Sequence, residues 1–349
     1  METALYAPGM GYYAKGTRQV GRGGDFFTSV SVGPLFGQLL ATRFLQEWRD
    51  RGEPARWRII ECGAHDGTLA ADVLGAMEKQ SPRAFEGLEY AIPEPLPVLQ
   101  AAQRETLRRF AGSVRFAKHA DELAADVLPG VAFGNEVLDA LAFHVVERRD
   151  GRWMECVVRL GDEGEFVWGM EEIRNPLLQS ALAGIRGEFP DGYRSEVRTC
   201  FDAFLQPLVR ALDGGLMIWP DYGFSRGDYY HPARTSGTIR TFSKHRAGEN
   251  PLAHPGEADI TAHVDFTAVA ETATLLGGRA IRFQNQGAWL TETARDWLLS
   301  QEGNPDPGAL RQFQTLTHPA HLGRSFHVLE LSWRDAAACA DPARSLFAD

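Results

Sequence analysis

The strongest constraint on the fold of this chain is a short apolar segment that ends in a glycine turn and precedes a helical pattern. Arg58 to Cys62 has the composition of a buried strand and closes on Gly63. Thr68 to Met77 then shows helical periodicity, with Thr68 as the candidate N-cap. A strand, a tight turn and a helix open a βαβ unit. The sequence therefore predicts an α/β protein.

Strand-like and helix-like segments continue to alternate along the chain. The further predicted strands are Leu88 to Ile92, Val114 to Ala117, Val131 to Gly134, Leu216 to Trp219 and Ser325 to Leu331. The further predicted helices are Leu35 to Trp48 and Pro97 to Phe110. This order predicts a mostly parallel sheet that is covered by helices on both faces. The alternating polarity of the last strand suits antiparallel pairing.

We expect a single domain over residues 1–349, with insertions at about 165–212 and 224–300. Pro176 to Leu212 has helical character, and Phe224 to Ala262 is a loop-rich stretch dense in His, Gly and Pro. Long loops inside a compact domain usually serve a function, so these insertions are predicted to form a lid or a substrate wall. The first 35 residues, rich in Gly and aromatics, are expected to form ordered loop.

Charge and hydropathy argue against several partners. The formal net charge is -10, and the arginines are scattered rather than clustered, which argues against nucleic acid. No stretch approaches the roughly 18 apolar residues of a membrane helix. The opening METALYAPGMGYY has neither a basic region nor an apolar core of a signal peptide. A cytoplasmic location and no membrane partner are therefore expected.

The spacing of cysteines and histidines does not predict a metal site. The cysteines lie far apart and are expected to be reduced, mostly buried thiols: Cys62, Cys156, Cys200 and Cys339. Four histidines in the loop-rich stretch are separated by 14, 9 and 9 residues, which fits no compact ligand motif: His231, His245, His254 and His263.

The segment ECGAHDGT, from Glu61 to Thr68, is the strongest local signal for a ligand. A dinucleotide site requires G-x-G-x-x-G, but the second and third glycines of that pattern fall here on His65 and Thr68, and Asp66 would repel phosphates. S-adenosylmethionine suits the spacing better because it carries a sulfonium cation and no phosphate. The alternative is an ordinary strand-to-helix turn.

Acidic residues follow the next two predicted strands. Glu94 could accept both ribose hydroxyls, although it lies about 30 residues after Gly63 rather than the roughly 20 of dinucleotide folds. The alternative for Glu94 is a solvated glutamate between two prolines. Asp121, after the third strand, could receive the adenine amino group.

A polar block follows the fourth strand, where the reactive end of a ligand is expected. Asn135, Glu136 and Asp139 emerge from an apolar strand, and polar groups there are costly to bury without partners. The two carboxylates could hold a cationic substrate nitrogen, with both acids on one face if a helix begins there. The alternative is a helix-capping role. Asp221 occupies the analogous place after a later strand.

Several blocks together resemble the MidA/NDUFAF7 family of protein-arginine methyltransferases. The resemblance covers nearly the whole chain and rests on the following segments: METALYAPGMGYYAKG, GGDFFTSVSVGPLFGQLLA, EYAIPEPLPVLQAAQRETL, GNEVLDALAFHVVE, FPDGYRSEV, GGLMIWPDYG, GTIRTFSKHR, HPGEADITAHVDF and LGRSFHVLEL. The blocks Asn-Glu-x-x-Asp-Ala, Asp-Tyr-Gly and Asp-Ile-Thr-Ala-His-Val-Asp-Phe are specific to the family.

The resemblance implies a class I methyltransferase with a Rossmann-like sheet, S-adenosylmethionine as donor and S-adenosylhomocysteine as product. It also implies a protein substrate, since mitochondrial members of the family methylate an arginine of a respiratory-complex subunit. Cofactor-side positions would be Gly63, Gly67, Glu94 and Asn135, and the strand-end residues Glu61 and Asp121 remain further cofactor candidates. The cleft segment would supply Asp25, Thr28 and Ser29. Acceptor-side positions would be Glu136 and Asp139, and Asp221 is a further catalytic candidate because of its place after a later strand.

The chain departs from the family pattern at the glycine turn and in the cleft segment. The family usually has Glu-x-Gly-Pro-Gly-x-Gly, whereas Ala64, His65 and Asp66 follow the first glycine here. Val30 and Ser31 replace Pro-Glu. A side chain at residue 65 would crowd the methionine end of the cofactor. Three functions stay open: a protein-arginine methyltransferase, a small-molecule methyltransferase, and an inactive scaffold with a degenerate pocket.

Overall fold

The structure, a computed structural model, describes residues 1–15, 28–243, 246–248, 250–303, 305–333 and 346–347. Fifteen strands lie in these residues: β1 (Trp57–Glu61), β2 (Leu88–Pro93), β3 (Val114–Ala117), β4 (Leu128–Phe133), β5 (His144–Arg149), β6 (Arg152–Leu160), β7 (Phe166–Glu172), β8 (Arg194–Val197), β9 (Leu212–Phe224), β10 (Arg240–Ser243), β11 (Arg246–Gly248), β12 (Asp259–Thr261), β13 (Val264–Asp265), β14 (Gly278–Asn285) and β15 (Phe326–Trp333).

Thirteen α-helices lie in the same residues: α1 (Glu2–Tyr6), α2 (Ser29–Val32), α3 (Leu35–Asp50), α4 (Thr68–Gln80), α5 (Pro82–Glu86), α6 (Pro97–Thr106), α7 (Pro176–Ala183), α8 (Phe201–Ala211), α9 (Arg226–Tyr229), α10 (Phe266–Leu275), α11 (Gln286–Thr293), α12 (Arg295–Ser300) and α13 (Pro307–Thr317). None of these helices has the length and hydropathy needed to cross a membrane.

The central sheet confirms the predicted fold class. Its order is β14-β15-β9-β4-β1-β2-β3, with β13 paired to β9. The pairs β4–β9, β4–β1, β1–β2 and β2–β3 are parallel, whereas β15 pairs antiparallel with both β9 and β14. The chain proceeds from β1 outward to β3 and returns with β4 on the other side of β1. Ligands of such sheets bind at the carboxyl ends of the strands at this switch point.

Two apolar layers bury the sheet because successive strand residues point to opposite faces. Ile59 packs into one layer with α3, α4, α11 and α13, and Ile60 packs into the other with α8 and α10. Every residue of β1 is buried. Burial of one such aliphatic side chain contributes about 1.5–3 kcal/mol, so these layers fix the position of the strand ends.

The predicted helical segment Pro176 to Leu212 is only partly helical. It contains α7, strand β8 and α8. Strand β8 belongs to an antiparallel sheet of order β7-β6-β5-β8 that the sequence analysis missed. The predicted loop Phe224 to Ala262 contains α9 and a three-stranded sheet of order β11-β10-β12.

The structure also corrects three other local expectations from the sequence. The predicted insertion 224–300 includes α10 and β14, which belong to the central sheet and its helix layer. Residues before Leu35 include the short helices α1 and α2 as well as loop. Thr68 is the first residue of α4 rather than its cap, since the N-cap is Gly67.

Candidate active site

A cleft of about 1020 Å³ opens at the carboxyl ends of β1, β2 and β4. Its floor is formed by the turn after β1 and the loop after β4. Residues from segment 1–15 and from the β10–β12 sheet complete the walls. The cleft therefore lies where the strand order predicts a ligand.

The glycine turn after β1 needs glycine at its first position for two reasons. Gly63 has a φ of 68°, and a Cβ there would lie 2.5 Å from Cγ2 of Val137. Gly67 has a φ of 85° and starts α4, but it does not line the cleft. Of the two glycines in this turn, Gly63 is the one that brings bare backbone to the cleft.

His65 lines the cleft in an unusual backbone conformation. Its φ is 47°, in the left-handed region that favours glycine, where the family pattern has glycine. The Nδ1 atom of His65 is buried and has no hydrogen-bond partner among the described residues. The same atom lies 3.8 Å from Oδ1 of Asp66, which is longer than a hydrogen bond and restrains the imidazole only weakly.

Two buried glutamates line the donor end of the cleft. Glu61 accepts a hydrogen bond from the Tyr90 hydroxyl at 2.6 Å, and burial raises the pKa of Glu61 to about 8. Glu94 accepts the Leu96 N–H through Oε1 at 2.8 Å and the Gln103 amide through Oε2 at 3.2 Å. Burial also raises the pKa of Glu94. Each Glu94 oxygen keeps a second lone pair for a ligand hydroxyl.

The remaining cofactor-side predictions have different surroundings. Asp121 lines the cleft but is largely exposed, and its Oδ1 accepts from Arg210 at 2.6 Å. Thr28 lines the cleft. Ser29 is fully buried, does not line the cleft, and donates to Oε1 of Gln286 at 3.1 Å. Asp25 lies outside the described residues.

The loop of residues 135–141, called the acceptor loop here, carries the predicted acids. No helix begins in it, and Glu136 has a φ of 54°, so the expected helical spacing of the two acids is wrong. Glu136 and Asp139 nevertheless both line the cleft. The Asn135 amide donates to Oε1 of Glu136 at 2.8 Å, and Oδ1 of Asn135 is buried with no partner among the described residues.

Desolvation raises the pKa of both acids of this loop. It raises the pKa of Glu136 to about 8, with a further contribution from the neighbouring charge of Asp139. It raises the pKa of Asp139 to about 6, although the charge of Arg198 acts in the opposite direction. A cationic ligand beside these carboxylates would favour their ionised forms.

Asp221 does not line the cleft; it holds the acceptor loop from below. It is fully buried, and its Oδ2 accepts the backbone N–H groups of Val137, Leu138 and Asp139 at 3.0, 2.8 and 3.2 Å. Its Oδ1 accepts the N–H of Tyr222 at 2.7 Å. Four accepted hydrogen bonds leave this carboxylate a structural role, unlike the catalytic role expected from the sequence.

Arg198 was missed by the sequence analysis and fixes the same loop from its other side. Its guanidinium donates to the backbone carbonyls of Asp139, Leu141, Ala262 and His263 at 2.6, 3.1, 2.6 and 2.6 Å. No pattern in the sequence marks an arginine that binds carbonyls of two distant loops.

Further missed residues line the acceptor end of the cleft. They are Tyr6, Tyr13, Tyr222, Asp259 and His263. Burial lowers the pKa of His263 to about 4, so its imidazole is neutral near pH 7. Among the described residues, no group of three or more His, Cys, Asp or Glu side chains has the arrangement of a metal site.

A family model described as "Putative S-adenosyl-L-methionine-dependent methyltransferase" matches residues 39–283, which is well over half of the chain. The chain belongs to this family. It is an S-adenosylmethionine-dependent methyltransferase, as the sequence resemblance implied.

Known relatives and structures agree with this assignment. The mitochondrial protein arginine methyltransferase NDUFAF7 homolog of Drosophila melanogaster is 28% identical, over 95% of this chain and 80% of its own length. The Danio rerio NDUFAF7 is 28% identical, over 93% and 80%. A Burkholderia thailandensis protein, in a crystal structure with S-adenosyl-homocysteine, is 32% identical with a TM-score of 0.84, covering 99% of this chain and 88% of that one.

The described residues of this methyltransferase fit S-adenosylmethionine. Gly63 leaves bare backbone beside the cleft, Glu94 presents two carboxylate oxygens, and Oδ1 of Asn135 is a buried acceptor without a partner among the described residues. Bound there, S-adenosylmethionine supplies a methyl group on a sulfonium cation. His65 lines the cleft at this turn, with a φ of 47°, at the position where the family pattern has glycine.

Proposed function

We propose that this methyltransferase transfers the methyl group to an arginine side chain of a partner protein. The observation that carries the proposal is the pair of carboxylates on the acceptor loop, Glu136 and Asp139, which both face the cleft. Paired carboxylates match a planar guanidinium by charge and by hydrogen-bond geometry. The net charge of -10 also favours the approach of a basic protein segment.

The same carboxylates provide the proton chemistry that an arginine acceptor requires. A guanidinium nitrogen must lose a proton as its bond to the methyl carbon forms, and the pKa of free arginine is above about 12. Glu136 is a suitable proton acceptor because its pKa, raised by burial to about 8, makes it a stronger base than an exposed glutamate. The relatives named above are called protein arginine methyltransferases, which supports the same acceptor class.

The test is to incubate the protein with methyl-labelled S-adenosylmethionine and cell lysate, and then to hydrolyse the labelled proteins to amino acids. Label on methylated arginine is expected, and Glu136→Gln should reduce it. Label on lysine, or on small molecules alone, contradicts the arginine acceptor. S-adenosylhomocysteine binding without any transfer would instead favour the scaffold alternative.

The cellular location belongs to the same proposal. We propose the cytoplasmic location that the sequence analysis expects. The relatives named above are mitochondrial proteins, so fractionation of the source cells is the measurement that decides.

A further inference from the structure

Segment 1–15 forms one wall of the acceptor end of the cleft. Tyr6 donates a hydrogen bond to the carbonyl of Ala140 in the acceptor loop at 3.2 Å. Lys15 donates to the carbonyl of Gly256, near the start of β12, at 2.8 Å. Leu5 is fully buried and anchors the segment in a small apolar cluster. The segment is therefore fixed both to the loop that carries the acids and to the sheet opposite.

Two tyrosines of this segment lie side by side at the cleft. The rings of Tyr6 and Tyr13 are stacked, with centroids 5.5 Å apart and an interplanar angle of 14°. Both residues line the cleft. These two rings are called the tyrosine wall here.

The carboxylates around the tyrosine wall affect the ionisation of its tyrosines. Burial raises the pKa of Tyr13, and the charges of Asp259 and Asp139 raise it further. Asp259, the first residue of β12, is 2% exposed and lines the cleft. Its charge also contributes to the raised pKa of Glu136. Three acids and two aromatic rings thus surround one end of the cleft.

We propose that the tyrosine wall and Asp259 complete the acceptor site opposite Glu136 and Asp139, and that together they bind the guanidinium of a protein arginine. The proposal rests on the arginine acceptor proposed above. It assigns to segment 1–15 and to β12 a part in substrate selection rather than in cofactor binding.

The chemistry of a guanidinium fits this arrangement better than that of an ammonium. A flat cation lies over an aromatic ring within about 6 Å of its centroid, and arginine does so more often than lysine. Its edge then remains free for bidentate hydrogen bonds to carboxylates. Lysine presents a compact, strongly hydrated charge that gains less from a ring surface. The tyrosine wall therefore favours arginine over lysine.

The binding test uses acetyl-arginine-methylamide as the probe, titrated by NMR into the protein saturated with S-adenosylhomocysteine. The lysine counterpart of the probe is the comparison ligand. We expect the arginine probe to bind more tightly. Tyr13→Leu should weaken its binding about tenfold, whereas Tyr13→Phe, which keeps the ring, should bind it within about threefold of the original protein.

Asp259→Asn provides a second, independent variant. It should also weaken the arginine probe about tenfold or more, while Asp162→Asn, an exposed acid on the β6–β7 turn, should not. The affinity for S-adenosylhomocysteine should be unchanged in all four variants. Thermal unfolding identifies any variant that has lost its fold, in which case the remaining one carries the test.

Two results would overturn the inference. One is an unchanged affinity of folded Tyr13→Leu and Asp259→Asn for the arginine probe. The other is an equal loss of S-adenosylhomocysteine affinity, which would place these residues on the cofactor side. If the unsubstituted protein methylates lysine instead of arginine, the proposed function itself is wrong. The labelling experiment shows this outcome without any variant of Tyr13 or Asp259.

Discussion

Oδ2 of Asp221 accepts the backbone N–H of Leu138 at 2.8 Å, at the centre of a group of three such bonds that hold the acceptor loop. Asp221 lies in β9, and Leu138 follows the neighbouring strand β4. The loop that carries Glu136 and Asp139 is therefore positioned by the strand next to it. This arrangement gives a loop without helix or strand structure a defined geometry.

Replacement of Asp221 should lower the stability of the protein more directly than its catalytic activity. Asp221→Ala leaves four backbone N–H groups without their acceptor, of which those of Leu138 and Asp139 make buried bonds, and we expect a loss of about 3 kcal/mol in the free energy of unfolding. Asp221→Asn keeps an oxygen for the three loop amides and should cost about 1–2 kcal/mol. Denaturant unfolding measures both, with the exposed Asp126→Ala as control. If all three variants are equally stable, Asp221 does not stabilise the acceptor loop.

Arg198 should behave as a positioning residue for methyl transfer. Arg198→Lys cannot reproduce donation to four carbonyls from one planar group, so the acceptor loop loses part of its restraint. We expect kcat/KM for the acceptor to fall at least tenfold, by analogy with other misplacements of catalytic groups. The Kd of S-adenosylhomocysteine, measured by calorimetry, should stay unchanged. A parallel loss of cofactor affinity would argue for a general structural role.

Glu94 should contribute to cofactor affinity. Glu94→Gln removes the charge from a carboxylate whose two oxygens line the donor end of the cleft. Loss of one charged hydrogen-bond partner costs on the order of 1.5–3 kcal/mol, or about ten- to a hundredfold in affinity for S-adenosylhomocysteine. Calorimetric titration measures the change, and the exposed Glu105→Gln is the control. Unchanged affinity of Glu94→Gln would remove the ribose assignment.

His65 offers a test of the departure from the family pattern. His65→Gly removes both the imidazole from the cleft and a Cβ from a residue with a φ of 47°. We expect tighter binding of S-adenosylhomocysteine by a few-fold because the imidazole no longer occupies the cleft. The left-handed conformation costs residues with a Cβ about 1–2 kcal/mol, so the substitution should also stabilise the folded protein. Asp150→Gly, at a φ of 49° in an exposed hairpin turn, is the matched control. Weaker binding would identify His65 as a ligand contact.

The parallel part of the fold follows from local sequence signals. The predicted strand Val114 to Ala117 agrees with β3, and the last predicted strand is antiparallel as expected. The antiparallel sheet β5–β8 also had a signal that was missed. Asp150 and Gly151 form the turn between β5 and β6 with φ values of 49° and 69°, and Asp-Gly between alternating segments favours a hairpin.

The acceptor end of the cleft could be predicted only in part. The strand-end rule located Glu136 and Asp139, because polar residues after a buried strand lie at the edge of a parallel sheet. The partners that shape their surroundings come from far along the chain. Tyr6 and Arg198 reach the loop through tertiary packing, and nothing in their local sequence encodes that contact. Such contacts require the coordinates.

The ionisation of Glu61 and Glu136 leads to the last prediction. Burial raises the pKa of Glu61 and of Glu136 to about 8, from an ordinary value near 4.5. Between these two pH values the folded protein retains protons that the unfolded chain has released. The free energy of unfolding attributable to both groups therefore falls as pH rises from about 5 to 8, since stability decreases with pH wherever the folded state binds more protons.

Glu136→Gln should separate stability from activity. Because the amide does not titrate, the fall in unfolding free energy between about pH 5 and 8 should become shallower, and Glu61→Gln should have the same effect. The pH dependence of activity should distinguish the two variants. In the original protein, kcat/KM for the acceptor should rise with pH until Glu136 is ionised near pH 8, as expected for a base that binds a guanidinium. Glu136→Gln should abolish that rise, whereas Glu61→Gln, at the donor end, should keep it. A rise that persists in Glu136→Gln would assign the titrating base to another group.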